Sequence, residues 1–144
     1  MSYKEINSAE ALELMREQGY RYVDVRSEPE FLSGHPSGAL NIPIMHREAF
    51  GMVPNPDFLG VFEANFERGD RLLLGCQSGA RSARAAEILS AAGFTDVSNV
   101  RGGFGGAHAD SGEVIEKGWL ESGLPVDRGE QEGRNYSDLQ GGRG

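Results

Sequence analysis

A short apolar run, residues 71–75, leads directly into Cys76, which is the only cysteine of the 144-residue chain, and then into the alanine-rich segment 81–92. A run of this length predicts a buried strand, and the alanine-rich segment predicts a helix that ends at Gly93. Residues 77–80 between them are small or polar. The sequence therefore predicts strand, tight loop and helix, with a thiol at the first position of the loop.

A thiol at this position is a candidate nucleophile. Loop N–H groups and the positive end of the helix dipole would face the sulfur, and both favour the thiolate. Gly79 permits the turn that lets these N–H groups converge, and Arg81 and Arg84 add positive charge. A lone cysteine is more often an inert core residue, but its polar neighbours here favour the reactive interpretation.

The length of the loop separates two kinds of cysteine chemistry. Four residues lie between Cys76 and Arg81, whereas cysteine phosphatases of the Cys-x5-Arg type have five. A tetrahedral phosphate needs the larger ring of N–H groups, and a persulfide sulfur fits the smaller one. The spacing favours sulfur transfer.

Strand and helix patterns alternate along the chain, which indicates a parallel sheet. Ser8 is the expected N-cap of the first helix, which should stop at Gly19. Residues 45–56 form no regular pattern, and the strand 96–100 is expected to be the last. The remaining predicted strands cover 3–6, 20–25, 39–42 and 71–75, and the remaining helices cover 28–32, 58–66 and 81–92.

Residues 76–82 resemble the active-site loop of single-domain rhodaneses, the thiosulfate sulfurtransferases. Residues 23–43 resemble the first signature of that family, and residues 93–126 its C-terminal portion, so that the resemblance spans about residues 4–127. It implies an α/β fold: a three-layer α/β/α domain with a central, mostly parallel sheet of about five strands.

The resemblance also implies a mechanism and a set of site residues. Sulfane sulfur would pass from thiosulfate or another persulfide donor through a Cys76 persulfide to cyanide or a thiol, with no cofactor and no metal. Arg81 would support the loop and attract an anionic donor. Cys76 is the catalytic residue on this interpretation, and the substrate-binding residues are Gln77, Ser78, Gly79, Ala80 and Arg81.

Three other interpretations of the loop are open. Gln77 replaces a basic residue of many thiosulfate-preferring relatives, so a thiol-bound donor, including a partner protein's persulfide, becomes more plausible. The chain could then be a relay module whose true donor or acceptor is a partner's cysteine. A phosphatase is disfavoured by the loop length, and arsenate reduction by the lack of a second cysteine.

The N-terminal signature contains charged residues that we expect to brace it. Arg26 and Glu30 are predicted to form an ion pair, and Asp24 is expected to have a scaffold role rather than a catalytic one. The three histidines are too scattered to predict a metal site.

Composition limits the partners. A net charge of −8 disfavours nucleic acid and anionic membranes, and no segment is apolar enough for a membrane span or a signal peptide. We expect small-molecule sulfur donors and acceptors, and a thiol-bearing protein is a further candidate. A single cysteine excludes an internal disulfide, so a reducing, cytoplasmic location is expected.

We predict a domain at residues 1–127 and a glycine-rich polar tail at 128–144. The tail should be frayed, or ordered against a partner through Tyr136 and Leu139. Residues 102–106 contain four glycines but fail the nucleotide-binding fingerprint, so we expect them to pass close to the catalytic loop. Residues 105–117 are an insertion that could form a lid or rim.

Overall fold

The computed structural model describes residues 3–142. Its helices are α1 (Ser8–Gln18), α2 (Glu28–Ser33), α3 (Phe58–Asn65), α4 (Ala80–Ala91) and α5 (Tyr136–Gly142). Its strands are β1 (Lys4–Ile6), β2 (Arg21–Asp24), β3 (His35–Pro36), β4 (Leu40–Asn41), β5 (Met45–Glu48), β6 (Gly51–Pro54), β7 (Leu72–Gly75), β8 (Val97–Val100), β9 (Ala107–His108), β10 (Val114–Glu116) and β11 (Val126–Asp127). Within residues 3–142, no helix has the length and apolar character to cross a bilayer.

The central sheet has five strands in the order β1-β8-β7-β2-β4, and every neighbouring pair is parallel. This confirms the expected sheet. Strand β7 lies in the middle and is buried along its whole length, as its unbroken apolar sequence predicts. Its last residue, Gly75, pairs with Asp24 at the end of β2, so the residues after both strands meet at the carboxyl edge.

Alternation along β7 divides the core into two clusters, because successive strand side chains point to opposite faces. Leu72 and Leu74 pack in a cluster with residues of α3, α4 and α5. Leu73 packs in the other, with Trp119 and with residues of α1 and α2. Helices therefore cover both faces of the sheet, which confirms the three-layer α/β/α domain.

Helix α1 begins one residue earlier than predicted. Asn7, not Ser8, is the N-cap: its side chain accepts a hydrogen bond from the Glu10 N–H at 2.8 Å. The Glu10 carboxylate accepts one from the Asn7 N–H at 2.8 Å. These reciprocal bonds satisfy two donors at the helix start, which Ser8 at that position does not do.

Residues 45–56, expected to be irregular, contain the antiparallel hairpin β5–β6, with Met45 opposite Pro54 and Glu48 opposite Gly51. Most of the hairpin is exposed, so it lacks the apolar alternation from which strands are predicted. The expectation that 96–100 is the last strand is also wrong, because β9, β10 and β11 follow it.

The tail is not frayed over the residues described. The Tyr136 and Leu139 side chains are buried in the same cluster as α3 and α4, which confirms them as anchors. The Asn41 N–H donates to the Arg134 carbonyl at 2.9 Å, so the tail also covers the edge strand β4. These contacts are within one chain, and no partner is needed for them; the boundary at residue 127 stays a prediction.

Candidate active site

Cys76 follows the central strand β7 at the carboxyl edge of the sheet. The residue before it must be small: a Cβ on Gly75 would lie 1.8 Å from the Tyr22 hydroxyl oxygen. Tyr22 is buried on the neighbouring strand β2. The glycine therefore lets the Tyr22 side chain approach the backbone at the residue before Cys76.

The Cys76 sulfur faces the loop that follows it. Cys76 is 1% exposed, and the Gly79 N–H donates a hydrogen bond to Sγ at 3.1 Å. Gly79 has φ 110° and ψ −12°, a conformation that favours glycine. Gln77, Ser78 and Ala80 are exposed around it. The thiol thus lies beneath the loop, in contact with one of its N–H groups, at the first turn of α4.

Ser82 is a site residue that sequence reasoning missed. Its hydroxyl oxygen lies 3.4 Å from the Cys76 sulfur, 3.2 Å from the Gly79 carbonyl and 2.5 Å from Asn99 Oδ1. A hydroxyl has one proton, and the shortest contact is to Asn99. Ser82 therefore ties the loop to β8, while the Gly79 N–H is the stronger donor to the sulfur. The sequence signal was present, because the loop resemblance extended to Ser82.

Arg81 is held by Glu30. Its two terminal nitrogens donate to the two carboxylate oxygens at 2.8 and 3.0 Å, a paired geometry that fixes the guanidinium plane. Burial opposes ionisation of the Glu30 carboxyl, but hydrogen bonds from Arg81 and Ser27 outweigh it and lower the pKa of Glu30 to about 2. Hydrogen bonding to Glu30 also raises the pKa of Arg81. This pair joins helix α2 to the catalytic loop.

The predicted Arg26–Glu30 ion pair is therefore wrong. Arg26 is 3% exposed and pairs with Asp24 at 2.7 Å, while it also donates to the Gly34 carbonyl at 2.6 Å. Burial lowers the pKa of Arg26, but Asp24 outweighs this and raises it. The scaffold role expected of Asp24 agrees with these contacts.

Arg26 also determines where the Gln77 side chain points. It donates to Gln77 Oε1 at 3.2 Å, and its guanidinium lies 4.6 Å from the centre of the Phe104 ring. The Gln77 amide is therefore turned toward Arg26 and the segment that contains Phe104. Gln77 links the first signature to the catalytic loop.

The glycine turn, residues 102–106, packs directly against the catalytic loop. The Phe104 N–H donates to the Cys76 carbonyl at 2.7 Å, and the Gly105 N–H donates to the Gln77 carbonyl at 2.9 Å. A Cβ on Gly103 would lie 2.2 Å from the Cys76 carbonyl oxygen. The expected close approach of this turn to the loop is confirmed.

The insertion forms the hairpin β9–β10. Glu116 of this hairpin pairs with Arg101 at 3.3 Å, and His108 lies 2.6 Å from Glu121. A Cβ on Gly102 would lie 2.6 Å from the Lys117 carbonyl oxygen. These contacts attach the insertion to the glycine turn, so it braces that turn instead of having the contacts of a lid over Cys76.

The parallel sheet, the cysteine after its central strand and the loop bonded to the sulfur point to a known family. Residues 7–110 match the family described as the Rhodanese-like domain. The chain belongs to this family. The match covers the first signature, the catalytic loop and the glycine turn of this rhodanese-like domain.

Individual relatives agree with this assignment. The protein named "Thiosulfate sulfurtransferase 16, chloroplastic" from Arabidopsis thaliana is 43% identical over 108 residues, which are 75% of this chain and 80% of that protein. "Senescence-associated protein DIN1" from Raphanus sativus is 40% identical over 113 residues, 78% of this chain but 55% of that protein. The aligned part of this chain thus spans about half the length of the second relative.

A solved structure has the same fold. The crystal structure of Rv0390 from M. tuberculosis superposes with a TM-score of 0.75 at 30% sequence identity, over 89% of this chain and all of that one. The fold is therefore shared with a solved protein over most of this chain.

Proposed function

We propose that this rhodanese-like domain is a sulfurtransferase that carries sulfane sulfur as a persulfide on Cys76. The observation that carries the proposal is the hydrogen bond from the Gly79 N–H to the Cys76 sulfur at the start of α4. A helix start and a loop N–H stabilise negative charge on sulfur, whether it is a thiolate or the terminal sulfur of a persulfide. Relatives named thiosulfate sulfurtransferase support the same chemistry.

The reaction proceeds by two displacements. The Cys76 thiolate attacks the outer sulfur of the donor, a sulfur–sulfur bond forms, and the donor's own sulfur–sulfur bond breaks. With thiosulfate, sulfite leaves with the bonding electron pair. A thiol or cyanide then attacks the terminal sulfur of the persulfide, and the Cys76 thiolate leaves. The electrons balance without an external oxidant or reductant.

Residues 77–81 are proposed to hold the donor chiefly through their main chain. Both terminal nitrogens of Arg81 already bond Glu30, and the Gln77 amide is bonded by Arg26. Arg81 is the one cationic residue among 77–81, so an anionic donor meets no unpaired cation in this segment. This supports a thiol-bound donor over thiosulfate as the better substrate.

The same contacts argue against a phosphatase. A transferring phosphoryl group needs an arginine that can bond its oxygens, and Arg81 is paired with Glu30. The loop also has one residue fewer than phosphatases of this kind. The cytoplasmic location stays a prediction, since several relatives bear chloroplastic or mitochondrial names.

Intact-mass measurement tests the proposal, because the chain has one cysteine. After incubation with thiosulfate or glutathione persulfide, the wild type should gain one sulfur atom that cyanide removes. Cys76→Ser should gain none, whereas Ser111→Ala, a small change at an exposed position of the insertion, should still gain it. A wild type that gains no sulfur from either donor would overturn the proposal.

A further inference from the structure

A groove beside the catalytic loop lies outside the chemistry described above. It has a volume of about 330 Å³ and runs between the base of the β5–β6 hairpin and helix α4. Met45 and Pro54 line one side, and Phe58 and Ile88 line the other parts of its apolar surface. Arg84 adds a cation at the α4 side, where Arg81 also lies, paired with Glu30. The groove is therefore apolar within and basic along one border.

The register of the hairpin extends this surface outward. Met45 is opposite Pro54, and Arg47 is opposite Met52. Opposed residues share a face of a hairpin, and so do residues two apart, so these four side chains lie on the face that lines the groove. Glu48 lies on the other face. The groove thus continues along Arg47 and Met52 toward the hairpin tip.

The hairpin exposes apolar side chains at and near its tip. Phe50 is 97% exposed and Met52 is 36% exposed. Phenylalanine, methionine and arginine are the residue types enriched in protein interfaces, and exposed apolar patches mark interaction sites. A groove of this size holds one or two side chains, while the hairpin offers further contacts outside it. This combination favours a polypeptide over a small anion.

Charge identifies the kind of polypeptide. The chain as a whole carries −8, yet Arg47 and Arg84 border the groove, while Arg81 beside them is already paired with Glu30. Within residues 3–142, Arg84 forms an ion pair with Glu87 at 3.6 Å, and because both side chains are exposed this pair contributes little. A partner with negative charge beside an apolar residue is complementary to this local surface.

The groove also borders the segment that carries the nucleophile. Arg81 both lines the groove and ends the loop that begins at Cys76. The Ile44 N–H donates to the Val25 carbonyl at 3.0 Å, which places the base of the groove beside the carboxyl end of β2. We propose that this groove and hairpin face dock an acidic, partly apolar segment of a partner protein, whose cysteine persulfide transfers its outer sulfur to Cys76. The inference rests on the proposed sulfurtransferase function.

Two synthetic peptides of equal length test the docking proposal. Each carries one cysteine persulfide and one leucine. The charged residues are glutamates in one peptide and lysines in the other. Single-turnover loading of Cys76, followed by intact mass, gives kcat/KM for each. The wild type should prefer the acidic peptide by about tenfold. The double variant Phe50→Ser/Arg47→Glu should lose most of that preference, and its loading from thiosulfate should be unchanged.

A matched control alters the other exposed hairpin. Ile115, 68% exposed, and Lys117 lie on the insertion, and Ile115→Ser/Lys117→Glu should keep the wild-type preference. Equal loading from both peptides by the wild type, with normal loading from thiosulfate, would overturn the docking proposal alone. Equal loss of preference in both double variants would show that the preference for the acidic peptide comes from overall charge. That result would also overturn the docking proposal. Failure of every donor to load Cys76 would instead overturn the proposed function.

Discussion

The catalytic loop, residues 76–82, and the β5–β6 hairpin, residues 45–54, lie on either side of one groove but are built in opposite ways. The loop is bonded by Arg26, by Glu30, by the glycine turn and by Asn99. The hairpin pairs mainly with itself and exposes its tip. One segment is fixed from several directions, and the other is free to contact a partner.

The difference follows from what each region has to do. Displacement at sulfur needs the nucleophile and its N–H donor held in one geometry, so neighbouring segments determine where Gly79 and Cys76 lie. A docking surface needs accessible apolar area and charge instead. Substitutions should therefore have large effects around the loop and small effects at the hairpin tip, and three variants test this in decreasing order.

The largest effect is expected from Gly103→Ala. Gly103 has φ 54°, and its Cβ would lie 2.2 Å from the Cys76 carbonyl oxygen, which belongs to the main chain and cannot rotate away. We expect a loss of about 3–5 kcal/mol of unfolding free energy, from backbone strain together with overpacking. Thermal unfolding measures it, at about 3 °C per kcal/mol for a domain of this size.

Gly112→Ala is the control for backbone strain alone. Gly112 has φ 95° but nothing within 4 Å of its Cβ position, so its loss should be about 1 kcal/mol. Similar shifts in the melting temperature of the two variants would show that the contact with Cys76 does not hold the loop.

An intermediate, pH-dependent effect is expected from Glu30→Gln. The Glu30 pKa falls from its ordinary value of 4.5 to about 2 in the folded chain, so this carboxylate stabilises the fold above pH 4.5. That stabilisation is lost as the pH falls from 4.5 toward 2. We expect Glu30→Gln to cost about 1–2 kcal/mol at neutral pH, since the pair is partly screened by solvent.

Urea unfolding at several pH values measures this difference between the wild type and Glu30→Gln. The difference should shrink steadily below pH 4.5. Glu63→Gln removes the carboxylate of an exposed pair with Arg68 and should change stability by less than about 0.5 kcal/mol. A difference for Glu30→Gln that stays constant down to pH 2 would contradict the role given to its ionised form.

The smallest effect is expected from Phe50→Ser. The side chain is 97% exposed, so removing it should change the unfolding free energy by less than about 0.5 kcal/mol, or raise solubility. Urea unfolding and light scattering measure the two quantities. A loss above 1 kcal/mol would mean that the hairpin tip packs in solution, and the contrast with the loop would fail.

Much of the site could be predicted because its signals are local. The apolar strand, Cys76, Gly79 and the alanine-rich helix are consecutive, and each has the residue types that its element requires. The partners of the charged residues could not be predicted in this way. Glu30 is close to Arg26 in sequence, but it bonds Arg81, 51 residues away, because β2 and β7 are neighbours in the sheet.

The β5–β6 hairpin and the tail are the two segments whose structure was predicted least well from the sequence. The β5–β6 hairpin is mostly exposed, so no apolar period marks its strands. The tail is mostly polar, and its order depends on Tyr136 and Leu139 entering a cluster built by α3 and α4. The hairpin depends on local pairing that no apolar pattern marks, and the tail depends on contacts at long sequence separation that composition does not reveal.

By itself the sequence determined the alternating α/β elements, the short apolar strand before Cys76 and the thiol at the start of a helix, because hydrophobic period, propensity and turn residues act over short distances. Only the tertiary structure decided that Glu30 holds Arg81, that Ser82 ties the loop to Asn99 and that the glycine turn meets the Cys76 carbonyl. These contacts join segments that are far apart in the chain. They form, and stabilise the site, only when the sheet brings the carboxyl ends of its strands together.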